Sequence, residues 1–309
     1  MKKIAPLTKS TGFSIIEMIV AIVVSSIIAI GIVDFIGRSA EGVSSTANRN
    51  QLATTGRTAV DRLAMEIHNA LPKSFRATTA TAGGDQCLEF IPTHAATNYV
   101  NPSFRSGGSS SFDIVDIYFA GLVVHPTTTP PKYAVIYPNR LSRLYDGDNG
   151  ASTGWPNFPT NRRPIQEISS IADNASVTGQ STVTLVTSHR FRRRSPTRRF
   201  FVVEDPISYC VVGDKLYRYT NYGFFATQVT QEEESGVCEK ASDETCLPNF
   251  AAAPDKMLIT DNIDNTGLTA FTIGTQTLTR NSLVAIELNF TSDGDTVTLN
   301  HEVLTRSVP

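Results

Sequence analysis

The stretch Gly12-Phe13-Ser14-Ile15-Ile16-Glu17 lies between a short basic leader and an apolar run that continues to Ile36. Glu17 places a carboxylate five residues after Gly12, in otherwise apolar sequence. Burial of an unpaired carboxylate in lipid is costly, so such a residue usually has a function and a partner. The run has roughly the 20 residues that a membrane-spanning helix requires. The stretch therefore predicts an N-terminal membrane helix with a functional carboxylate near its start.

Three lysines, Lys2, Lys3 and Lys9, precede the apolar run. Because positive charge is retained on the cytoplasmic side of a membrane, they predict a cytoplasmic N-terminus and export of the rest of the chain. An ordinary secretory signal peptide is the alternative, but its apolar core is shorter and ends at a small-residue cleavage site. Here the candidate cleavage site, after Gly12, comes before the apolar run.

These residues resemble the N-terminus of type IV prepilins and type II secretion pseudopilins. The resemblance implies that a membrane-embedded prepilin peptidase cuts between Gly12 and Phe13, and that Phe13 is then N-methylated. It also implies that Glu17 pairs with the terminal amine of a neighbouring subunit. Two such charges attract strongly at low dielectric and each alone is costly to bury. The pairing is therefore expected to set the register in which a subunit joins a filament.

Composition is consistent with an exported protein. The 309 residues leave room for a leader, one membrane helix and a sizeable globular body. Loss of the three leader lysines takes the formal net charge from −2 to −5. This balance argues against a wholly basic nucleic-acid binder but permits a local basic patch. Charged residues make up only 18% of the chain, as in a secreted β-rich domain with long loops.

All four cysteines follow the apolar run, and an even count in an oxidising compartment favours disulfides over free thiols. Cys238 and Cys246 flank a polar loop that a local bridge would close, whereas Cys87 and Cys210 lie in apolar, strand-like segments. We expect Cys238–Cys246 and Cys87–Cys210 bridges, although sequence alone leaves three pairings open. Zinc is the competing interpretation, which the lack of a C-x-x-C pair and the scattered histidines disfavour.

After the apolar run, a helical pattern gives way to strands. Apolar residues recur mainly at three- and four-residue steps from Leu52 to Leu71, and Pro72 ends the pattern. Glycines at positions 31, 37 and 42 are points where such a helix could bend. From Ala77 onward, β-branched and aromatic runs predict strands, with tight turns at residues 213–214 and 293–294.

The predicted fold is therefore α+β and pilin-like, with a long N-terminal helix packed on an antiparallel β-sheet. Residues 1–12 are the predicted leader peptide, and residues 13–71 the long helix, of which about 13–36 span the membrane. Residues 72–309 are expected to form one β-rich globular domain with long loops.

The segment from His189 to Phe200 is the most basic part of the chain. Phosphate contacts by its arginines and base stacking by the interleaved phenylalanines would suit a single-strand DNA binder. A solvated loop between strands, or a docking surface for an acidic partner subunit, are the alternatives, and they are favoured because no nucleic-acid-binding module surrounds the segment. The arginines are Arg190, Arg192, Arg193, Arg194, Arg198 and Arg199.

Metal binding and catalysis have weaker signals. Asp146 and Asp148 alternate with glycines, as in a calcium loop, but the glutamate at the twelfth position is missing and a structural turn is favoured. The histidines, serines and aspartates are not organised by a G-x-S-x-G, H-E-x-x-H or phosphate-cradling motif. We therefore expect neither an enzyme nor a cofactor.

A narrower resemblance covers segments of the body. It implies a minor pilin that joins the major pilin and other minor pilins in a tip complex initiating assembly, at an inner-membrane assembly platform. A J-type secretion pseudopilin, and a tip adhesin or DNA-capture pilin that uses the arginine segment, are the alternatives. The similar family is that of MshO-type minor pilins of the mannose-sensitive haemagglutinin (MSHA) type IV pilus, through residues 61–63, 66–72, 87–92, 198–203 and 206–210.

Overall fold

The chain divides into two compact units, Met1–Gln51 and Leu52–Pro309, which are described separately. The predicted cleavage site at Gly12 and Phe13, the predicted Cys238–Cys246 bridge and the calcium candidates Asp146 and Asp148 lie outside the described residues. The computed structural model describes residues 14–104, 107–116, 133–145, 163–220, 222–224, 228, 256–274 and 282–305.

The first unit contains the start of helix α1 (Ile15–His68). Large apolar side chains are exposed on every side of this part of the helix, from Ile15 to Ile36. A helix that is hydrophobic all round belongs in a membrane or a large core, and this one is long and apolar enough to cross a membrane. The arrangement fits a single-pass membrane anchor. The helix is continuous through Gly31, Gly37 and Gly42.

A second carboxylate lies near the end of the apolar run. Asp34 forms an ion pair with Arg38, one helical turn later, with 3.1 Å between Oδ2 and Nη2. Charges in or beside a membrane segment are tolerated where they pair with one another. The pair therefore marks the C-terminal end of the apolar part of α1.

In the second unit, α1 buries one face. The helix ends at His68, three residues before the predicted end at Leu71, because the Leu71 N–H donates to the carbonyl of Ile91 (2.7 Å) instead of continuing the helix. The buried face confirms the amphipathic helix that the three- and four-residue steps in the sequence predicted. It consists of Leu52, Gly56, Ala59, Val60, Leu63, Ala64 and Ile67.

After α1, the regular structure of the described residues consists of strands and one short helix, α2 (Leu141–Tyr145). The strands are β1 (Arg76–Ala77), β2 (Gln86–Phe90), β3 (Thr93–Asn98), β4 (Ser109–Val115), β5 (Tyr133–Val135), β6 (Ile165–Asp173), β7 (Gln180–His189), β8 (Arg199–Val203), β9 (Ile207–Val212), β10 (Lys215–Tyr219), β11 (Lys256–Thr260), β12 (Phe271–Ile273), β13 (Leu283–Ser292) and β14 (Asp295–Leu304).

These strands form three antiparallel sheets. The first has the order β1-β2-β9-β10-β11, the second β12-β13-β14 and the third β3-β8-β5-β6-β7-β4. The buried face of α1 shares one apolar core with the first two sheets, in which Leu63 and Ile67 belong to the same cluster as Phe90, Tyr209 and Leu288. A long apolar N-terminal helix followed by an antiparallel β-sheet domain is the predicted pilin-like α+β fold, which is confirmed.

The third sheet is an insertion between two neighbouring strands of the first. Phe90 at the end of β2 pairs with Ile207 at the start of β9, and the chain between them builds all six strands. The two outer strands of the insertion also meet, through a bridge between Tyr99 and Ile114. The sheet therefore closes around its own apolar core, which includes Phe112 and Phe200.

The disulfide between Cys87 and Cys210 links the strands that flank the insertion. These residues lie directly opposite each other in β2 and β9, and both side chains are buried. The sequence prediction of this bridge is confirmed. The Cys238–Cys246 bridge stays a prediction.

Gly56 allows close approach between α1 and the second sheet. A Cβ atom at this position would lie 2.6 Å from Leu299 Cδ1 and 2.7 Å from Phe290 Cε2. Gly56→Ala should therefore lower the free energy of unfolding by about 1–3 kcal/mol through overpacking, despite a better helix propensity. Chemical denaturation of the detergent-extracted chain measures this. Gly42→Ala is the control, because nothing lies within 4 Å of its added Cβ; equal effects of the two variants would refute the steric explanation.

Candidate functional site

The first turn of α1 fixes the position of Glu17. The backbone N–H of Ser14 donates to Glu17 Oε2 at 3.1 Å, and the Ser14 carbonyl accepts from the Met18 N–H at 3.2 Å. A serine that precedes a helix and a glutamate three residues later have the spacing of a capping box, and this bond is the half of the box that the glutamate supplies. The positive end of the helix dipole also favours a carboxylate there. Glu17 is thus held at the start of the helix, beside the predicted new N-terminus.

Glu17 retains capacity to bind a cation. Among the residues that the structure describes, the Ser14 N–H is its one hydrogen-bond donor, whereas an ionised carboxylate has about four acceptor sites. Ile16, Val20, Ala21 and Val24 surround it with an apolar surface. An ammonium group brought into such surroundings would gain a strong, poorly screened interaction with the free carboxylate oxygen. This contact within the first turn of α1 goes beyond the role predicted for Glu17 from the sequence, although the spacing of Ser14 and Glu17 signals it.

The second candidate site is the segment of residues 190–200, which comprises the turn between β7 and β8 and the first two residues of β8, and which we call the arginine turn. Its base is fixed by hydrogen bonds: the Arg190 Nε–H donates to the Phe104 carbonyl (3.2 Å), and the Ser195 N–H donates to the Tyr99 hydroxyl (3.0 Å). The Arg194 guanidinium lies 5.3 Å from the centre of the Phe104 ring. These contacts therefore hold the turn in a defined conformation on the closed sheet.

The aromatic residues of the arginine turn do not face solvent. Phe191 is 1% exposed and Phe200 is 0% exposed, and both pack edge-on against Phe112 inside the closed sheet. The expectation that these rings could stack on bases is therefore wrong, because they are the core of the insertion. The arginines of the turn differ from one another: Arg192, Arg193, Arg194 and Arg198 are exposed, and Arg190 and Arg199 are half-buried.

A buried ion pair in the first sheet was not foreseen from the sequence. Arg76 Nε and Nη2 donate to the two carboxylate oxygens of Glu89 at 2.7 and 3.0 Å, and Glu89 is fully buried. The guanidinium lies 3.8 Å from the ring centre of Tyr145, whose hydroxyl donates to the Ser74 carbonyl. Burial raises the pKa of Glu89, and the adjacent Arg76 opposes this rise. Because every partner is satisfied within the core, we assign the pair to stability.

No group of three or more histidine, cysteine, aspartate or glutamate side chains is arranged to hold a metal ion within the part of the chain that the structure describes.

One protein family matches the chain. The prokaryotic N-terminal methylation motif matches residues 7–33, which include Gly12, Phe13, Glu17 and the start of α1. No curated protein and no solved structure matches. The motif implies processing by a prepilin peptidase and assembly with other pilins, and the proteins that carry it are structural. Together with the apolar helix and the α+β body, the match supports a type IV pilin or pseudopilin.

Proposed function

We propose that this chain is a minor pilin of an MSHA-like type IV pilus, which contributes to the initiation of assembly as part of a tip complex. The observation that carries the proposal is the N-terminus of α1. There, a carboxylate held by the Ser14 N–H lies in the first turn of a helix that is apolar on all sides, within the matched methylation motif. The function is assembly.

In the proposed mechanism, peptidase cleavage after Gly12 creates a charged amine on Phe13. Neither this amine nor the Glu17 carboxylate is stable alone in lipid, since each would be an uncompensated charge. The amine of one subunit and Glu17 of its neighbour neutralise each other when two α1 helices pack side by side. Correct register is then favoured over every displaced register, because displacement leaves both charges unpaired.

The proposed location is the inner membrane, with the globular body in the periplasm and, after assembly, at the pilus tip. The buried Cys87–Cys210 disulfide supports this side of the membrane, because such bonds form and persist in oxidising compartments. The lysines before the apolar run support the same orientation.

Two features support a minor pilin over a repeating one. The segments that resemble MshO-type minor pilins lie in the end of α1 and in β2, β8 and β9, at the centre of the second unit. In addition, the closed sheet between Phe90 and Ile207 adds bulk to one side of the body. A subunit at the end of a filament has neighbours on fewer sides, which leaves room for such an insertion.

Deletion of the gene tests the proposal. We expect the strain to lose most surface pili, as counted by electron microscopy, and to secrete proteins normally. Complementation with the wild-type gene is the control. Unchanged pilus numbers together with a secretion defect would instead show a type II secretion pseudopilin.

The processing step gives a separate prediction. Mass spectrometry of the membrane-extracted protein should show loss of residues 1–12 and one added methyl group on Phe13. Gly12→Val should keep the leader, because a bulky side chain beside the scissile bond obstructs the peptidase. An intact leader on the wild-type protein, or a cut beyond the apolar run, would contradict the prepilin interpretation.

A further inference from the structure

The arginine turn lies at the far end of the insertion. Strand β3 starts at Thr93, whose N–H donates to the carbonyl of Asn69 just after α1, and runs to Asn98, which pairs with Arg199. The next residue, Tyr99, donates its N–H to the Arg198 carbonyl at 2.9 Å. The closed sheet therefore holds the turn away from the end of α1 and from the first sheet.

Positive charge is concentrated at this far end of the insertion, in the exposed side chains of the arginine turn. Four arginine side chains are exposed within seven consecutive residues, and no ion pair joins any of them to an acid among the described residues. Three contacts described above limit the freedom of the turn: the Arg190–Phe104 and Ser195–Tyr99 hydrogen bonds, and the packing of Arg194 on the Phe104 ring. A turn held in one conformation loses less entropy when a ligand binds. The four exposed arginines are Arg192, Arg193, Arg194 and Arg198.

The surface suits a polyanion better than a protein. Protein interfaces depend on a few aromatic or apolar anchors that become fully desolvated. At this end Tyr99, Phe191 and Phe200 are buried, and the half-buried ring of Phe104 lies beneath the Arg194 guanidinium. Among the described residues, the surface therefore offers charge without a free aromatic anchor. Guanidinium groups match phosphate oxygens in pairs, and neutralisation of phosphates alone gives affinity through release of counterions.

The burial of these aromatic rings also favours double-stranded over single-stranded DNA as the ligand. Single-strand binders gain affinity by stacking bases on exposed aromatic side chains, which this turn lacks. Double-stranded DNA carries about one charge per 1.7 Å of its axis, twice the density of a single strand, so it presents more phosphates to a compact cluster. We propose that the arginine turn binds the phosphodiester backbone of double-stranded DNA without reading its sequence.

Fluorescence anisotropy with a labelled short duplex and the full chain in non-ionic detergent tests this. With four phosphate contacts, the affinity of the wild-type protein should fall about 150-fold between roughly 50 and 200 mM salt, independent of the duplex sequence. Replacement of the four exposed arginines by glutamine should weaken binding at least 10-fold and remove most of this salt dependence, because the contacts that release counterions are gone.

The matched control removes the same amount of positive charge elsewhere. It should bind the duplex with the wild-type affinity and salt dependence. Both variants should remain folded, since the control breaks only the exposed ion pairs of Arg38 and Lys215, each of which contributes little to stability. The control carries Arg38→Gln, Arg57→Gln, Arg140→Gln and Lys215→Gln.

Several results would overturn the proposal. They are failure of the wild-type protein to bind the duplex, equal binding by the arginine-turn variant, and equal losses in the two variants. Tighter binding of a single strand of the same length would show base contacts instead of backbone contacts. Tighter binding of anionic-lipid vesicles would identify a membrane surface as the ligand.

Discussion

A strain whose only copy of the protein carries Glu17→Ala is expected to remove the leader normally but to assemble few or no pili. The substitution leaves the Phe13 amine of the neighbouring subunit without a counter-charge in apolar surroundings, which costs about 3–5 kcal/mol for a buried pair. It also removes the hydrogen bond from the Ser14 N–H to Glu17, worth about 1 kcal/mol. Electron microscopy counts the pili, and mass spectrometry of the extracted protein checks leader removal.

Two further variants separate the charge from the cap. Glu17→Gln keeps an oxygen that can accept the Ser14 N–H but has no charge, so it should assemble as poorly as Glu17→Ala. Ser14→Ala keeps the carboxylate and its bond to the backbone, and it should make close to normal numbers of pili. A normal pilus count for Glu17→Gln would show that Glu17 acts only within its own helix, and a normal count for Glu17→Ala would remove its role in assembly.

Arg76→Met is expected to lower the free energy of unfolding by about 3–5 kcal/mol at neutral pH, because it leaves Glu89 as an uncompensated buried charge. Burial raises the pKa of Glu89, and without Arg76 only the hydrogen bond from Tyr222 opposes the rise. The folded variant then binds a proton at a pH where the unfolded chain does not. Its loss of stability should therefore shrink as the pH falls below the raised pKa. Chemical denaturation of the oxidised, detergent-extracted chain at several pH values measures both effects.

The double variant Arg76→Met/Glu89→Met tests the cause. Replacement of a whole buried ion pair by apolar residues is often neutral, so the double variant should regain most of the lost stability and lose the pH effect. Lys215→Met is the control for an exposed pair, because Lys215 and Asp214 are largely solvated and such pairs contribute about 1 kcal/mol or less. A double variant as unstable as Arg76→Met would show that packing of the guanidinium on Tyr145 is the main contribution.

Local sequence patterns predicted the local structure well. The apolar run and the three- and four-residue periodicity gave the two parts of α1, and the turns at residues 213–214 and 293–294 join β9 to β10 and β13 to β14. The Cys87–Cys210 bridge followed from two apolar segments in an oxidising compartment. For the helix and the turns, the signal lies within a few residues of the feature that it predicts. The bridge joins residues 123 positions apart, and its pairing was one of three that the sequence left open.

The closed sheet and the buried ion pair depend on contacts between distant residues. Nothing near Tyr99 indicates that it meets Ile114, and Glu89 looks like a surface residue until both faces of its strand are covered. The arginine turn was misjudged in one respect for the same reason. Phe191 stands among arginines in the sequence, but its side chain points to a core that the surrounding strands supply. An isolated aromatic residue in a basic run is therefore better interpreted first as a core residue.

The pairing of Phe90 with Ile207 brings both ends of the insertion to one place in the first sheet. The near end of the insertion is tied to the rest of the second unit, because Leu71 shares a core cluster with residues of the insertion and Tyr145 packs on Arg76. Its far end lacks these ties and is the part that can change without moving α1 or the first sheet. Substitutions there can then accumulate under different selection from those in α1, where each change affects membrane insertion and packing with other subunits. New surface chemistry at the far end of the insertion therefore evolves without a new way to build a filament.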